Sequence, residues 1–507
     1  MYLTHITHYF EKTVAATPDR IAVYDGERSL TFGQLHERVL LAARQINQRL
    51  GGRTGQIVAV GLPKSLEAVI ADLAILYSGN AYMNLDSKSP KQRIHSIVKQ
   101  TNPSLFWVEA GHVAPFPEAQ EIIFSLDMEQ IAAPLEEEEK NGILGLRESC
   151  IDTDLLCIIN TSGSTGIPKA VALNHRSFIE FTAVVCDAKL VGEAEVVASL
   201  SPIVFDIFSF ELCMLMARGS TLVLVPESFA AFPIRLLELM ALRQVTFLFW
   251  VPTIMVNIAN MDLLGLVPLP CLKMVWFAGE VFPTAKFNYW RKMLPQTTFA
   301  NFYGPIEITL DCVYHVVDRP LCDDEPIPIG KPFRNTSILV LNENDEPVGP
   351  GGEGELCIRG SSLAMGYYNN PEKTAAAFVQ NPLNRAYPEL IYRTGDIVAW
   401  NEYGELVFRG RKDTLVKHLG YRIELAEIEH VVVNTLKLAA NCCALYDAEQ
   451  KKIILVYEAG FPLPEKELRQ KIAEILPRYM VPGVYRQIEE MPRNTNGKID
   501  RLKMRNF

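Results

Sequence analysis

The feature that most constrains the fold is a set of short apolar runs, rich in β-branched or aromatic residues, that recur along the chain with amphipathic stretches between them. Such runs are typical of strands buried on both faces, and strands separated by helical patterns form parallel or mixed sheets covered by helices. The pattern predicts an α/β fold of packed mixed sheets and helices. The runs are IVAVGL at 57–62, LLCIIN at 155–160, TLVLV at 221–225, VTFLFW at 245–250 and KMVWFAG at 273–279.

The charge and composition of the 507 residues argue against two classes of partner. Acidic residues outnumber basic ones by 59 to 49, for a net charge of -10, so the chain offers no general attraction to a phosphate backbone or an anionic lipid surface. No apolar run approaches the roughly 18 residues that cross a bilayer, and the amino terminus lacks the apolar core of a secretion signal. We expect a cytoplasmic protein without nucleic-acid or membrane partners, whose ten scattered cysteines are reduced and mostly buried.

The pattern of apolar residues changes near Arg411. Strand-like segments there lead into a helix that begins at Glu424 and places Ile428, Val431 and Val432 on one face. A further apolar strand and an amphipathic helix follow. These roughly 95 residues can bury a small core of their own, so the sequence predicts a small α+β domain in this region.

A segment rich in glycine and hydroxyl residues, TSGSTGIPK, follows the apolar run at 155–160. Glycines leave backbone N–H groups unobstructed, hydroxyls add donors and a lysine adds a cation, which together suit a polyphosphate. A flexible surface turn would need neither the buried strand before it nor the lysine. The segment is not a Walker loop, because no hydroxyl residue follows the lysine. Its candidate phosphate-binding residues are Thr161, Ser162, Gly163, Ser164, Thr165, Gly166 and Lys169.

This loop resembles the phosphate loop of the acyl-adenylate-forming superfamily, which includes acyl-CoA synthetases, luciferases and the adenylation domains of nonribosomal peptide synthetases. Further segments match motifs of that superfamily in the same order, and the resemblance covers nearly the whole chain. They include NFYGPIEIT at 301–309, YRTGD at 392–396, GRKD at 410–413 and NTNGKIDR at 494–501. The resemblance implies an enzyme that uses ATP and Mg2+ to convert a carboxylic acid into an acyl-AMP.

The resemblance assigns nucleotide roles to residues of these motifs. It implies that Tyr303 stacks on adenine, that Glu307 holds the magnesium ion and that Thr309 approaches the α-phosphate. Asp396 would accept both ribose hydroxyl protons, and Arg411 would lie near the same sugar. An aromatic face for a base and a carboxylate for a hard cation are the residue types that these tasks need.

Two residues of the last motifs are implied to act through domain movement. Asp413 matches the hinge of the superfamily, and Lys498 matches a lysine that enters the active site and bridges the substrate carboxylate and the AMP phosphate. A fixed cation there would offset the repulsion between two anions. The expected organisation is a large domain over 1–410 with the ATP and amino-acid sites, a hinge over 411–414 and a small mobile lid domain over 415–507.

Within the superfamily the amino-acid-adenylating branch fits best, because PIVFDIFSFE places Asp206 directly after Phe205. The matching aspartate in that branch forms a charge-assisted pair with the substrate α-ammonium, and activators of fatty and aryl acids generally lack it. Aromatic residues at four pocket positions would leave room only for a compact side chain. The implied pocket residues are Asp206, Ile207, Phe210, Phe249, Trp276, Ala278, Phe302, Leu310 and Asp311.

The identity of the amino acid stays open at this point. The segment GEVFP at 279–283 resembles D-alanine:carrier protein ligases. The spacing of Asp206, Phe249 and Ala278 resembles that of free-standing proline-activating enzymes instead. Asp311 would suit a substrate with a second cation.

The sequence also bears on the acceptor of the activated acid and on two alternative functions. Because the sequence ends shortly after Gly497, we expect the acceptor thiol to be the phosphopantetheine of a separate carrier protein, or free coenzyme A. An acyl-CoA ligase for a small carboxylic acid is the alternative enzyme, and Asp206 counts against it. A catalytically silent binding module is a third possibility, which the presence of Lys498, Glu307 and Asp396 disfavours.

Overall fold

The computed structural model describes residues 3–109, 123–124, 135–162, 168–412, 415–492, 499 and 501–504. Contacts between residues divide the chain into two compact units. The first contains Met1–Leu85, Asn102–Ile159 and Val171–Gly410, and the second contains Asp86–Thr101, Asn160–Ala170 and Arg411–Phe507. Two segments from the earlier part of the sequence therefore belong to the same unit as the last part of the chain.

The described residues form α-helices, several of which begin at a capping side chain. They are α1 (Thr7–Ala16), α2 (Phe32–Leu50), α3 (Leu66–Tyr77), α4 (Lys91–Thr101), α5 (Glu137–Glu148), α6 (His175–Asp187), α7 (Asp206–Arg218), α8 (Pro233–Leu242), α9 (Pro252–Asn260), α10 (Thr284–Met293), α11 (Pro371–Ala377), α12 (Leu425–His430), α13 (Glu465–Ala473) and α14 (Arg501–Met504). Thr31 and Gln34 form a capping box before α2, for example. Among the described residues, no helix is both long and apolar enough to cross a membrane.

The strands of the described chain form five sheets. They are β1 (Ile21–Asp25), β2 (Arg28–Thr31), β3 (Ile57–Gly61), β4 (Ala81–Asn84), β5 (Leu105–Val108), β6 (Ile123–Phe124), β7 (Leu155–Thr161), β8 (Lys169–Asn174), β9 (Val196–Ser199), β10 (Thr221–Leu224), β11 (Phe247–Trp250), β12 (Met274–Ala278), β13 (Thr298–Tyr303), β14 (Val313–Val316), β15 (Lys331–Pro332), β16 (Thr336–Leu341), β17 (Glu353–Gly360), β18 (Gly366–Tyr367), β19 (Phe378–Gln380), β20 (Leu390–Trp400), β21 (Leu406–Arg411), β22 (Leu415–His418), β23 (Tyr421–Glu424), β24 (Cys442–Asp447), β25 (Lys452–Glu458) and β26 (Val484–Ile488).

The largest sheet has nine strands in the order β15-β14-β13-β12-β11-β9-β10-β1-β2. Its central strands are parallel, whereas β14, β15 and β2 pair antiparallel at the two ends. Three of the predicted apolar runs supply β10, β11 and β12, which confirms them as strands. The carboxyl ends of β11, β12 and β13 meet at one edge of the sheet, and ligand-binding residues of open α/β sheets collect at such edges.

Two further sheets complete most of the first unit. One has the order β18-β8-β7-β4-β3-β5-β6 and contains the other two predicted runs as β3 and β7. The other is the antiparallel sheet β16-β17-β20-β19, with β21 beside β20. Every residue of α3 except Glu67 is buried, as expected for a helix that is apolar on almost all sides.

The second unit has a core of its own. In it, β22 pairs with β23, and β24, β25 and β26 form a three-stranded sheet. The three residues of the predicted apolar helix face, Ile428, Val431 and Val432, are all in this core, which confirms that prediction. The helix α12 begins at Leu425 and continues as a π-helical turn over Val431–Thr435, which the apolar periodicity did not reveal.

Candidate functional site

The chain makes a tight reversal directly after β13. The backbone N–H of Cys312 donates to the carbonyl of Tyr303 at 2.9 Å and closes the turn. A Cβ atom at Gly304 would lie 2.2 Å from the carbonyl oxygen of Leu310, so only glycine fits. Thr309 and Leu310 have φ angles of 57° and 67°, a region that residues with a Cβ avoid. Backbone strain of this kind is typical of binding and catalytic sites.

Two predicted nucleotide residues lie inside this reversal. Glu307 is fully buried, and its carboxylate accepts a hydrogen bond from the Tyr367 hydroxyl at 2.8 Å. Thr309 is equally buried, and within the described part of the chain its hydroxyl oxygen has no hydrogen-bond partner. A buried hydroxyl without a partner is unfavourable. It is therefore suited to a polar atom that the protein itself does not supply, such as a phosphate oxygen.

The structure brings the predicted adenine and ribose residues into direct contact. The hydroxyl of Tyr303 donates to Asp396 Oδ2, and both residues are buried. Burial and the charge of Asp396 raise the pKa of Tyr303 well above its ordinary value, so the phenol stays a neutral donor. Two hydrogen bonds fix the strand around Asp396. The backbone N–H of Asp396 donates to Thr394 Oγ1 at 2.9 Å, and the backbone N–H of Gly395 donates to Glu355 Oε1 at 3.1 Å.

Four aromatic residues of the predicted pocket pack on one another. Trp276 stacks on Phe302 with ring centroids 4.0 Å apart and on Phe210 at 5.2 Å. Phe249 meets the edge of the same indole at 5.5 Å. Phe249 lies opposite Trp276 in the strand register, as Ala278 lies opposite Phe302, so these side chains share one face of the sheet. They form a buried, largely apolar wall, because none of the four residues is more than 1% exposed.

The predicted amine-binding carboxylate begins a helix. Asp206 is the first residue of α7, it is half-buried, and its Oδ1 accepts from the backbone N–H of Ile207 at 2.9 Å. The amino end of a helix favours a negative charge. Phe210 follows one turn later and belongs to the aromatic wall. The last two pocket residues, Leu310 and Asp311, are buried where the reversal after β13 returns to the sheet.

The three described residues of the predicted phosphate loop, Thr161, Ser162 and Lys169, belong to the second unit. Ser162 donates its hydroxyl hydrogen to the carbonyl of Arg422 at 2.6 Å and accepts from the backbone N–H of Glu424 at 3.1 Å. The ammonium of Lys169 forms an ion pair with the carboxylate of Glu424. Thr161 ends β7, and Arg411 ends β21. The predicted residues that lie outside the described chain are Gly163, Ser164, Thr165, Gly166, Asp413 and Lys498.

Tyr367 and Glu424 contact predicted site residues, and the sequence analysis missed both. Tyr367 lies in a two-residue strand, and no local pattern distinguishes it from a packing tyrosine. Glu424 was recognised only as the start of a helix, because acidic residues are common there for their interaction with the helix dipole alone. Only the fold shows that the first contacts Glu307 and the second contacts Lys169.

The described residues contain no group of three or more His, Cys, Asp or Glu side chains that could hold a metal ion. Mg2+ in ATP-dependent enzymes is bound through one or two carboxylates together with substrate phosphates, so the single buried carboxylate of Glu307 fits that mode. All ten cysteines are free thiols and seven are buried, as the sequence predicted.

Comparison with known proteins identifies the family of the chain. A sequence model of the family described as AMP-binding enzyme matches residues 10–368. Surfactin synthase subunit 1 of Bacillus subtilis (strain 168) is 33% identical over 98% of this chain, and Delta-poly-L-ornithine synthetase of Acinetobacter baumannii (strain AB307-0294) is 31% identical over 98%. This chain spans only 14% and 36% of those two proteins.

The fold is also that of solved adenylation domains. The Vibrio cholerae adenylation domain AlmE, solved with glycyl-adenosine-5'-phosphate, superposes with a TM-score of 0.84 at 22% identity, covering 100% of this chain and 98% of AlmE. The α/β fold predicted from the apolar runs is thereby confirmed.

Proposed function

The chain belongs to the AMP-binding enzyme family, and from this membership we propose that it activates a small amino acid as its aminoacyl-AMP and transfers it to the phosphopantetheine thiol of a separate carrier protein. Adenylate formation is the part that the family match and the related peptide synthetases support most directly. The observation that carries the proposal is the buried contact of Tyr303 with Asp396, next to a strained reversal that holds Glu307 and the unpartnered hydroxyl of Thr309.

The nucleotide roles follow from the chemistry of these groups. The ring of Tyr303 offers a face for adenine, while Asp396 retains acceptor capacity for ribose hydroxyls, because a carboxylate can accept about four hydrogen bonds. Thr309 would donate to an α-phosphate oxygen. Glu307 would hold Mg2+, which when bound offsets negative charge on the phosphates.

In the proposed reaction, a carboxylate oxygen of the amino acid attacks the α-phosphorus of ATP, a new P–O bond forms and pyrophosphate leaves. Two anions approach each other in this step, so cations must offset their repulsion. Lys169 and Lys498 are the proposed cations, and rotation about a hinge at Asp413 is proposed to separate adenylation from thiol transfer. The large domain over 1–410 and the lid domain over 415–507 remain proposals on the same basis.

The proposed amine recognition is supported by Asp206 at the start of α7. An ammonium group paired with this carboxylate would lie next to the apolar wall containing Phe210, Trp276 and Phe302. Charge-assisted pairs are strongest where water is excluded. A closely packed wall leaves room for a compact side chain, which supports alanine, proline or another small amino acid as the substrate.

The proposal is tested by exchange of pyrophosphate into ATP over a panel of acids. The purified protein should exchange with at least one of alanine, proline and a diamino acid, and much less with propionate or benzoate. A preference for propionate or benzoate would replace the proposal with an acyl-CoA ligase. Absence of exchange with every acid, while ATP still binds, would favour a silent binding module.

A further inference from the structure

The position of Asp206 depends on an irregular loop over residues 199–205. This loop begins at Ser199, the last residue of β9, and ends in a turn in which the backbone N–H of Phe205 donates to the carbonyl of Pro202 at 3.1 Å. Asp206 is the next residue. The N-cap residue Phe205 makes no side-chain capping hydrogen bond, and at the start of α7 the side chain of Asp206 itself accepts from the backbone N–H of Ile207.

Two side chains hold this loop, one from the connection after β3 and one from the end of β4. The ammonium of Lys64 donates to the carbonyls of Ser199 at 2.8 Å and Ser201 at 3.4 Å. Asn84, the last residue of β4, donates from Nδ2 to the carbonyl of Ile203 at 3.1 Å. Ile203 lies inside the turn that ends at Phe205, directly before Asp206. The hydrogen bond from Asn84 is therefore the anchor nearest in sequence to the proposed amine-binding carboxylate.

Asn84 is itself oriented by a buried acid. Its Nδ2 also donates to Asp72 Oδ2 at 2.9 Å, and Asp72 is completely buried within α3. Burial raises the pKa of Asp72 to about 8, so the acid is neutral near pH 7 and accepts this bond without introducing a buried charge.

The pair is costly for a purely structural element. Within the described chain, neither Oδ1 of Asp72 nor Oδ1 of Asn84 has a hydrogen-bond partner. Both residues lie in the apolar interior. Apolar residues of similar volume would fill such a position more favourably. A polar pair that is incompletely satisfied but directs one N–H at the Ile203 carbonyl is better explained by a requirement to fix the loop.

We propose that Asn84, held by Asp72, is a positioning residue that sets the direction in which Asp206 meets the ammonium group of the substrate. The inference rests on the proposed role of Asp206 in amino-acid recognition. Asn84 touches neither substrate nor nucleotide in this account and acts only through the 199–205 loop.

The first test is Asn84→Ala, with Asn80→Ala as its matched control. Asn80 is a buried asparagine at the opposite end of β4 that bonds Ser78 and Gln56 rather than the loop. Loss of one buried hydrogen bond in Asn84→Ala should raise the KM for the amino acid about five- to tenfold and leave the KM for ATP unchanged. Asn80→Ala should leave both KM values unchanged. Equal effects of the two variants on the amino-acid KM would overturn the proposal.

A double-mutant cycle separates positioning from general damage. If Asn84 acts through Asp206, then Asn84→Ala should cause no further loss in an Asp206→Asn background. The same loss in both backgrounds would refute the proposal. Asn84→Leu, which keeps the side-chain size and removes the donor, should show the same KM effect if Asn84→Ala does not fold, and an unchanged amino-acid KM in that variant would also refute it.

The outcomes also distinguish this inference from the proposed function. An Asp206→Asn variant that uses amino acids normally would overturn both. Strong loss in Asp206→Asn together with a normal amino-acid KM in Asn84→Ala and Asn84→Leu would overturn the positioning role alone.

Discussion

Thr309 combines two features that selection for stability alone does not favour. Its hydroxyl oxygen is buried without a partner in the described chain, and its backbone has a φ of 57°. Each feature costs roughly 1 to 3 kcal/mol of folding free energy. The protein retains both at a position that the sequence motif assigns to the α-phosphate, which makes this single hydroxyl a direct test of the nucleotide site.

Thr309→Val should separate stability from activity. Valine keeps the branched shape and removes the unpartnered oxygen, so the denaturant midpoint should stay equal or rise. The kcat/KM for pyrophosphate exchange should fall about tenfold, as expected for one lost hydrogen bond to a charged group. Thr394→Val is the control for stability, and its denaturant midpoint should fall. The Thr394 hydroxyl already has partners within the protein, since it donates to the Leu356 carbonyl and accepts from the backbone N–H of Asp396. Full activity in Thr309→Val would contradict the assigned role.

At the scale of single elements, the contribution of α3 to the free energy of unfolding depends on pH. Asp72 is completely buried in this helix, and burial raises its pKa from 3.8 to about 8. Between these two values the folded chain binds a proton that the unfolded chain has released, so the free energy of unfolding decreases as pH rises. The neighbouring Tyr82 and Cys157 also have raised pKa values because of burial, so both stay neutral over this range.

Asp72→Asn should remove this dependence and retain an acceptor for Asn84. Relative to wild type, its denaturant midpoint should improve steadily from about pH 4 to about pH 8 and then change little. Urea titrations at several pH values measure the difference. A difference that is constant with pH would show that Asp72 titrates normally in the folded protein.

The ion pair between Lys169 and Glu424 gives a second prediction at the element scale. ATP phosphates would have to compete with this carboxylate for the lysine, so Glu424→Gln should lower the KM for ATP in the exchange reaction by at least about threefold, because the ion pair is mostly buried. Glu429→Gln, which breaks a different pair with Arg501 in the same unit, should leave that KM unchanged. A higher ATP KM in Glu424→Gln would contradict the competition.

The elements differ in how much of them the sequence could predict. Strands such as β11 and β12 were predictable because a continuous apolar run has few other stable solutions. The π-helical turn after α12 and the reversal at Gly304 could not be predicted. They depend on contacts with residues that are distant in sequence, or on backbone angles that leave no periodic pattern. The contact between Tyr303 and Asp396 joins two motifs that only the folded sheet brings together.

At the scale of the whole molecule, the account requires two half-reactions with different demands. Lys498→Ala should reduce pyrophosphate exchange at least about a hundredfold, because the approaching anions lose a fixed cation. Transfer of a chemically prepared aminoacyl-AMP to a carrier thiol should be much less affected. Lys503→Ala, another lysine near the end of the chain, should exchange normally. Wild-type exchange in Lys498→Ala would contradict the assigned role in adenylation.

The most direct test of the central claim is pyrophosphate exchange by Asp206→Asn with the preferred amino acid and with its deaminated analogue. Removing one partner of a largely desolvated charge pair costs about 3 to 5 kcal/mol, so kcat/KM for the amino acid should fall at least about a hundredfold while the KM for ATP stays the same. Asp187→Asn, at the end of α6, should behave as wild type. The account is contradicted if Asp206→Asn keeps full activity on the amino acid, or if the wild type uses the deaminated acid equally well.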